Sequence, residues 1–109
     1  MSWDVILEKP LPGTKPGDFD EEALEMFDLY KVDSTLKQLC PNMIRTSPLG
    51  RIYDGPGYSI EFDLAEDIIM LYVRISTDDG DKNFMSLIRE ICTQLSCRAL
   101  DTASVEFFV

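Results

Sequence analysis

The segment from residue 58 to residue 75 constrains the fold most. Tyr58, Ile60, Phe62 and Leu64 alternate strictly with Ser59, Glu61 and Asp63. A period of two places the first set on one face of a β-strand and the second on the other, so one face is apolar and one is wet and acidic. Ala65, Glu66 and Asp67 supply a tight turn, after which residues 68–75 are apolar at every position except Arg74 and Ser-free up to Ile75. Such a run predicts a central strand covered on much of both sides and paired with the first as an antiparallel hairpin. A half-apolar sheet must bury that face against another layer.

Helical spacing supplies the layer. Phe84, Leu87, Ile88, Ile91, Cys92, Leu95 and Ala99 recur at i, i+3, i+4 and i+7, and Asp81 stands where an N-cap belongs. A second helix is expected at about 21–31, with Leu24, Phe27 and Tyr30 as its apolar positions. Asp20 is its cap, and Phe19 packs on Leu24 as a hydrophobic staple. Six acidic residues within 18–28 suit the positive end of such a helix. Ser34 can cap a further short helix carrying Leu36, Leu39 and Cys40, which Pro41 and Asn42 would stop. Trp3 to Leu7 reads as an opening strand, residues 43–46 as a possible strand, and residues 105–109 as a closing one. Pro48, Gly50, Gly55, Pro56 and Gly57 mark residues 48–57 as an exposed loop. The expected fold class is α+β, an antiparallel sheet with helices packed on one face, ferredoxin-like or a variant. With 109 residues the chain is read as a single domain, 1–109.

Composition narrows the chemistry. The chain has no histidine, which removes the usual neutral-pH general base, the commonest metal ligand and every Ser-His or Cys-His nucleophile pair. Gly50, Gly55 and Gly57 make no phosphate-binding signature and precede a strand, whereas a phosphate cradle opens a helix. Cys92 and Cys97 would point about 140° apart on a continuous helix, which disfavours a shared metal. Asp78, Asp79 and Asp81 lack the alternation of a calcium loop and read as a turn and a cap. Three cysteines fit reduced thiols in a cytoplasm better than a disulfide framework, with Cys92 a small buried hydrophobe. No apolar run reaches the length of a membrane span, and the first residues do not resemble a secretion signal. The reading is cytoplasmic, with no cofactor, no metal and no catalysis.

The net charge is −10, from 20 acidic and 10 basic residues. That balance opposes nucleic-acid phosphates and would steer a basic protein toward the chain. Glu61 and Asp63 lie about 7 Å apart at i, i+2 on one strand face. They are compatible with acid–base work in a glycosidase-like cleft, but such pairs are common on wet strands. They fit better as a negative stripe beside the aromatic segment 51–58, since interfaces concentrate aromatic residues next to charges. Tyr53, Asp54, Tyr58, Glu61 and Asp63 are therefore the expected partner contacts, with residues 18–28 as a second acidic face.

The residues Met1-Ser2-Trp3-Asp4-Val5, Tyr53-Asp54-Gly55-Pro56-Gly57-Tyr58-Ser59-Ile60-Glu61-Phe62, Ile69-Met70-Leu71-Tyr72-Val73-Arg74 and Arg98-Ala99-Leu100-Asp101 resemble a group of small bacterial proteins of the immunity type. The chain departs from that group at residues 75–79, where a Gly-rich turn would stand, and at residues 103–106. The resemblance implies a cytoplasmic accessory protein that neutralises a toxin, and it implies no catalytic residue. With the charge and the size, it leads to an acidic immunity or antitoxin-like inhibitor that occludes a basic toxin domain. The alternative is a homodimeric structural or regulatory domain, joined through the edge strand at 105–109.

Overall fold

The computed structural model describes residues 2–13, 23–55, 57–77 and 84–107. Its elements in chain order are β1 (Ser2–Pro10), β2 (Leu24–Glu25), α1 (Leu29–Leu39), β3 (Ile44–Arg45), β4 (Gly50–Gly55), β5 (Tyr58–Leu64), β6 (Met70–Thr77), α2 (Phe84–Leu95), β7 (Arg98–Asp101) and β8 (Glu106–Phe107). The fold class is α+β, built, among the described residues, on one large sheet of eight strands and two helices. The strand order is β3-β4-β5-β6-β1-β7-β8, with β2 paired to the end of β1, and every neighbouring pair is antiparallel.

Register explains the core. Phe62 pairs with Val73, Ile60 with Ile75 and Leu64 with Leu71. On the other side of β6, Val73 pairs with Val5 and Leu71 with Leu7, and Leu7 pairs in turn with Ala99. Directly opposed residues share a face, so these nine form one apolar surface. All are at most 5% exposed, and they join Val32 and Leu36 of α1 and Ile88, Ile91, Cys92 and Leu95 of α2 in a single core cluster.

The hairpin expected from the alternation is present, with β5 and β6 paired from Tyr58 and Thr77 to Leu64 and Leu71. The expectation that its second strand is covered on both sides is not met. Leu71, Val73, Ile75 and Thr77 are buried, whereas Tyr72, Arg74 and Ser76 are exposed. Strand β6 starts at Met70, because Ile68 takes a positive φ of 54° in the connecting turn and its carbonyl accepts from Phe27 N–H at 2.7 Å.

The first helix begins later than its spacing predicts. Leu24 and Glu25 pair as β2 with Pro10 and Lys9, and Leu11 N–H donates to the Ala23 carbonyl at 2.8 Å. Asp28, not Asp20, caps the helix: its carboxylate accepts from Tyr30 and Lys31 N–H at 3.0 and 3.3 Å. Leu24 and Phe27 are buried, but from separate elements, so their helical spacing is coincidental. Ser34 lies inside α1, which runs on through Leu36 to Leu39 as one helix. The Asp20 and Asp81 caps fall outside the described residues.

The segment 48–57 is a strand rather than a loop for most of its length. Strand β4 pairs with β5 from Gly50 and Asp63 to Gly55 and Tyr58, leaving two residues as the hairpin connection. The glycines there serve packing and turning. A Cβ on Gly55 would stand 2.5 Å from the Tyr58 ring, and Gly57 has a φ of 82°. At the other end, Arg51 donates to the carbonyls of Ser47, Pro48 and Gly50 and pairs with Asp33 of α1 at 3.0 Å. Arg51 is 6% exposed, and its guanidinium fastens the β3–β4 turn to the helix.

Helix α2 stops at Leu95 instead of continuing to Ala99. Ala99 is fully buried, but as a residue of β7, a strand the helical spacing concealed. The short strand at residues 43–46 is present as β3. Of the closing strand only Glu106–Phe107 pairs with β7. Val105 turns with a φ of 56°, and residues 108 and 109 lie outside the described set.

Candidate functional site

The outward side of the sheet carries exposed carboxylates and one exposed tyrosine. Position parity places Ile52 and Asp54 of β4, Ser59, Glu61 and Asp63 of β5, Tyr72 and Arg74 of β6, Asp4 and Ile6 of β1, and Leu100 of β7 on this side. Asp4 and Glu61 flank Arg74 in register, one from each neighbouring strand. Arg74 Nε donates to Asp4 Oδ1 at 2.9 Å across the surface, with both side chains more than half exposed. A screened pair of this kind contributes little to stability. Asp4 is held from behind by Thr102, whose Oγ1 and N–H both donate to its carbonyl, at 3.0 and 3.3 Å.

A shallow groove of about 440 Å³ runs over this region, floored by Val5 and Val73 and lined by Asp4, Ile6, Glu61, Asp63, Tyr72 and Arg74. Tyr72, one of its lining residues, is 47% exposed. Asp63 stands beside Glu61 on the same strand face and can accept a hydrogen bond from the Glu61 carboxyl when that is protonated. That bond, and then the Asp63 charge, raise the Glu61 carboxyl above its ordinary value, against the opposing pull of Arg74. The pair stands on an exposed sheet surface rather than in an enclosed cleft.

The five residues expected as contacts do not share one surface. Asp54, Glu61 and Asp63 are outward. Tyr53 and Tyr58 alternate to the inward side, opposite Ile60 and Thr77. The two tyrosine rings meet at 6.2 Å, Tyr58 meets Phe84 at 6.3 Å, and Phe84 meets Trp3 at 5.5 Å. This aromatic row closes the hairpin end of the core, and its rings prefer the tilted geometries observed. Trp3 also donates to Asp101, which with the Ala103 N–H holds that carboxyl below its ordinary value.

Sequence reasoning overlooked Asp4, Tyr72, Arg74 and the outward end of β7. The alternation of Tyr72, Arg74 and Ser76 with Val73, Ile75 and Thr77 was the available signal, masked by the apolar run that precedes it. At the β7 end, Glu8 is 4% exposed on the outward side. It accepts from Arg98 Nη2 at 2.8 Å and Nε at 3.0 Å, and the Phe107 ring lies 4.0 Å from the Arg98 guanidinium carbon. An ion pair so covered requires its partner, because either charge alone would be buried without compensation.

Burial pushes the Cys40 thiol up to about 11, leaving it unreactive at neutral pH. The neighbouring Cys92 and burial together raise the Cys97 thiol. The expectation that the two cysteines diverge by 140° fails because α2 ends before Cys97. Among the described residues no three Cys, Asp or Glu side chains are grouped to hold a metal ion, and no helix is long and apolar enough to cross a membrane. Comparison of the chain with protein-family models, with curated proteins and with solved structures returned no match.

Proposed function

We propose that the chain is a non-catalytic, cytoplasmic protein-binding domain, an acidic immunity-like inhibitor whose outward sheet surface covers a basic protein such as a toxin domain. The observation that carries this reading is the surface itself. Three carboxylates, those of Asp4, Glu61 and Asp63, stand around the Arg74 guanidinium, a fourth, that of Asp54, lies two strands away on the same side, and Tyr72 lies exposed among them. An excess of negative charge on an exposed sheet attracts a cationic surface and speeds its docking, and an exposed tyrosine supplies the apolar anchor that interfaces favour. The net charge of −10 acts in the same direction at longer range.

The architecture proposed with it is a two-layer, ferredoxin-like variant with both helices on the inward face. It is supported by the one core cluster holding Val32, Leu36, Ile88 and Ile91 together with Phe62 and Val73. The connection β6–α2–β7, which returns to the sheet on the far side of β1, supports it too. Tyr53 and Tyr58 then form the half-buried rim of the contact, aligning the hairpin that presents Asp54.

The test is co-purification of the tagged protein from its native cells at low salt, then repetition with Asp54→Lys, Glu61→Lys and Asp63→Lys combined. Recovery of one basic protein, weakened by salt and lost by at least about a hundredfold in affinity on charge reversal, is the expected result, since like charges juxtaposed at an interface cost several kcal/mol. Unchanged affinity and salt dependence in the triple variant would show the site assignment to be wrong. Recovery of the protein alone, with a concentration-dependent dimer in sedimentation velocity, would transfer the assignment to the homodimeric alternative.

A further inference from the structure

The end of α2 brings two sulfur atoms together by backbone geometry. Ser96 takes a left-handed φ of 53°, Ser96 N–H donates to the Thr93 carbonyl at 3.4 Å, and Cys97 N–H donates to the Cys92 carbonyl at 3.0 Å. These two bonds and the left-handed residue constitute a Schellman motif, in which the side chains three positions before the cap and two after it come into contact. The occupants of those two positions are Cys92 and Cys97. Cys92 is 2% exposed on the core side, whereas Cys97 is only partly buried. Cys40, the remaining cysteine, is buried in its own place at the end of α1.

We propose that Cys92 and Cys97 form a reversible disulfide within the domain, in exchange with small disulfides such as oxidised glutathione. The cap already sets the two side chains against each other, and the bond requires closure of the sulfurs to about 2 Å. One thiol of the pair gives up its proton and its sulfur opens the glutathione disulfide, forming a mixed disulfide and releasing one glutathione. The other thiol then loses its proton and displaces the second glutathione from the first. Two protein thiols are oxidised, one glutathione disulfide is reduced to two glutathiones, and the protons are balanced. The ring closed by residues 92–97 is short, so it constrains the unfolded chain less than a long loop would. The bond therefore remains reducible, as regulatory disulfides in reducing compartments are.

The experiment equilibrates the folded full chain, and separately the chain unfolded in urea, in glutathione redox buffers. After acid quenching and alkylation, mass spectrometry follows the tryptic peptide of residues 90–98, which contains both cysteines. The folded chain is expected to form the intramolecular disulfide with an equilibrium constant above that of the unfolded chain, by about tenfold, which corresponds to about 1.4 kcal/mol. By linkage the oxidised form then unfolds at correspondingly higher denaturant. A ratio of one or less overturns the proposal. So does a folded chain that halts as a glutathione adduct on Cys97 with Cys92 still reduced, or one that joins two chains through Cys97.

Discussion

Strand β5 shows two regions of the molecule within seven residues. Its inward side chains, Ile60, Phe62 and Leu64, are at most 5% exposed and meet Ile75, Val73 and Leu71 across the β5–β6 ladder. Its outward ones, Glu61 and Asp63, meet Arg74 and Tyr72 in the same ladder and are exposed. The backbone hydrogen bonds are common to both sides, so the difference lies in side chains alone. Inward positions stabilise by removing apolar area from water. Outward positions gain little from their ion pairs and are free to carry charge for another purpose. An exposed surface that does little for stability is one whose composition can serve recognition.

The largest effect that sharpens this contrast is at Phe62. Phe62→Ala, at a fully buried position, should cost about 3–5 kcal/mol by urea unfolding. Tyr72→Ala, one strand away on the outward side, should cost less than about 1 kcal/mol, as surface changes usually do. Comparable losses at both positions would mean that the outward surface is part of the core.

Arg98 is where the contrast should break. Glu8 and Arg98 are outward yet have side chains only 6% and 14% exposed. Arg98→Ala is expected to cost about 3 kcal/mol, by leaving the Glu8 carboxylate buried without its partner. Replacing both together, as Glu8→Leu with Arg98→Met, should recover most of that loss. A loss under 1 kcal/mol for Arg98→Ala would place Glu8 in effective contact with water.

The smallest effect concerns the carboxylate pair. Asp63, by its hydrogen bond and its charge, holds the folded Glu61 carboxyl above the ordinary value, so the folded chain binds that proton more tightly than the unfolded one. The ionised pair therefore costs stability at pH values above the folded pKa, and the cost is relieved as pH falls through that pKa toward the unfolded value. Glu61→Gln should give a slightly higher Tm than the parent at neutral pH, with the difference shrinking in acid. A lower Tm at neutral pH would show that attraction to Arg74 outweighs repulsion by Asp63.

Much of the sheet was legible from residue order, and the reason is local. Alternation over residues 58–64 determines which side chains share a face whatever the strand pairs with, and the stripe from Phe84 to Leu95 does the same for α2. What the spacing could not tell was where elements end. Leu24 and Phe27 fit a helix by number, but pairing of Leu24 and Glu25 with β1 and capping by Asp28 moved the helix start to Leu29. Ala99 continued the helical pattern, but the turn at Ser96 delivered it to β7. Proline and glycine in 48–57 suggested a loop, whereas Gly55 serves the close approach of Tyr58 within a hairpin.

The candidate surface was half legible for the same reason. Residue order by itself determined the acidic balance, the absence of histidine, the amphipathic strand bearing Glu61 and Asp63, and the α+β class, because each follows from composition or from a period of two or 3.6. Tertiary structure alone decided that Asp4 comes beside Arg74, that Tyr53 and Tyr58 turn inward, that Glu8 is buried under Arg98 and Phe107, and that Cys92 touches Cys97. These are contacts set by strand register and by a helix terminus, and register depends on which strands pair, a property that no single segment of the chain contains.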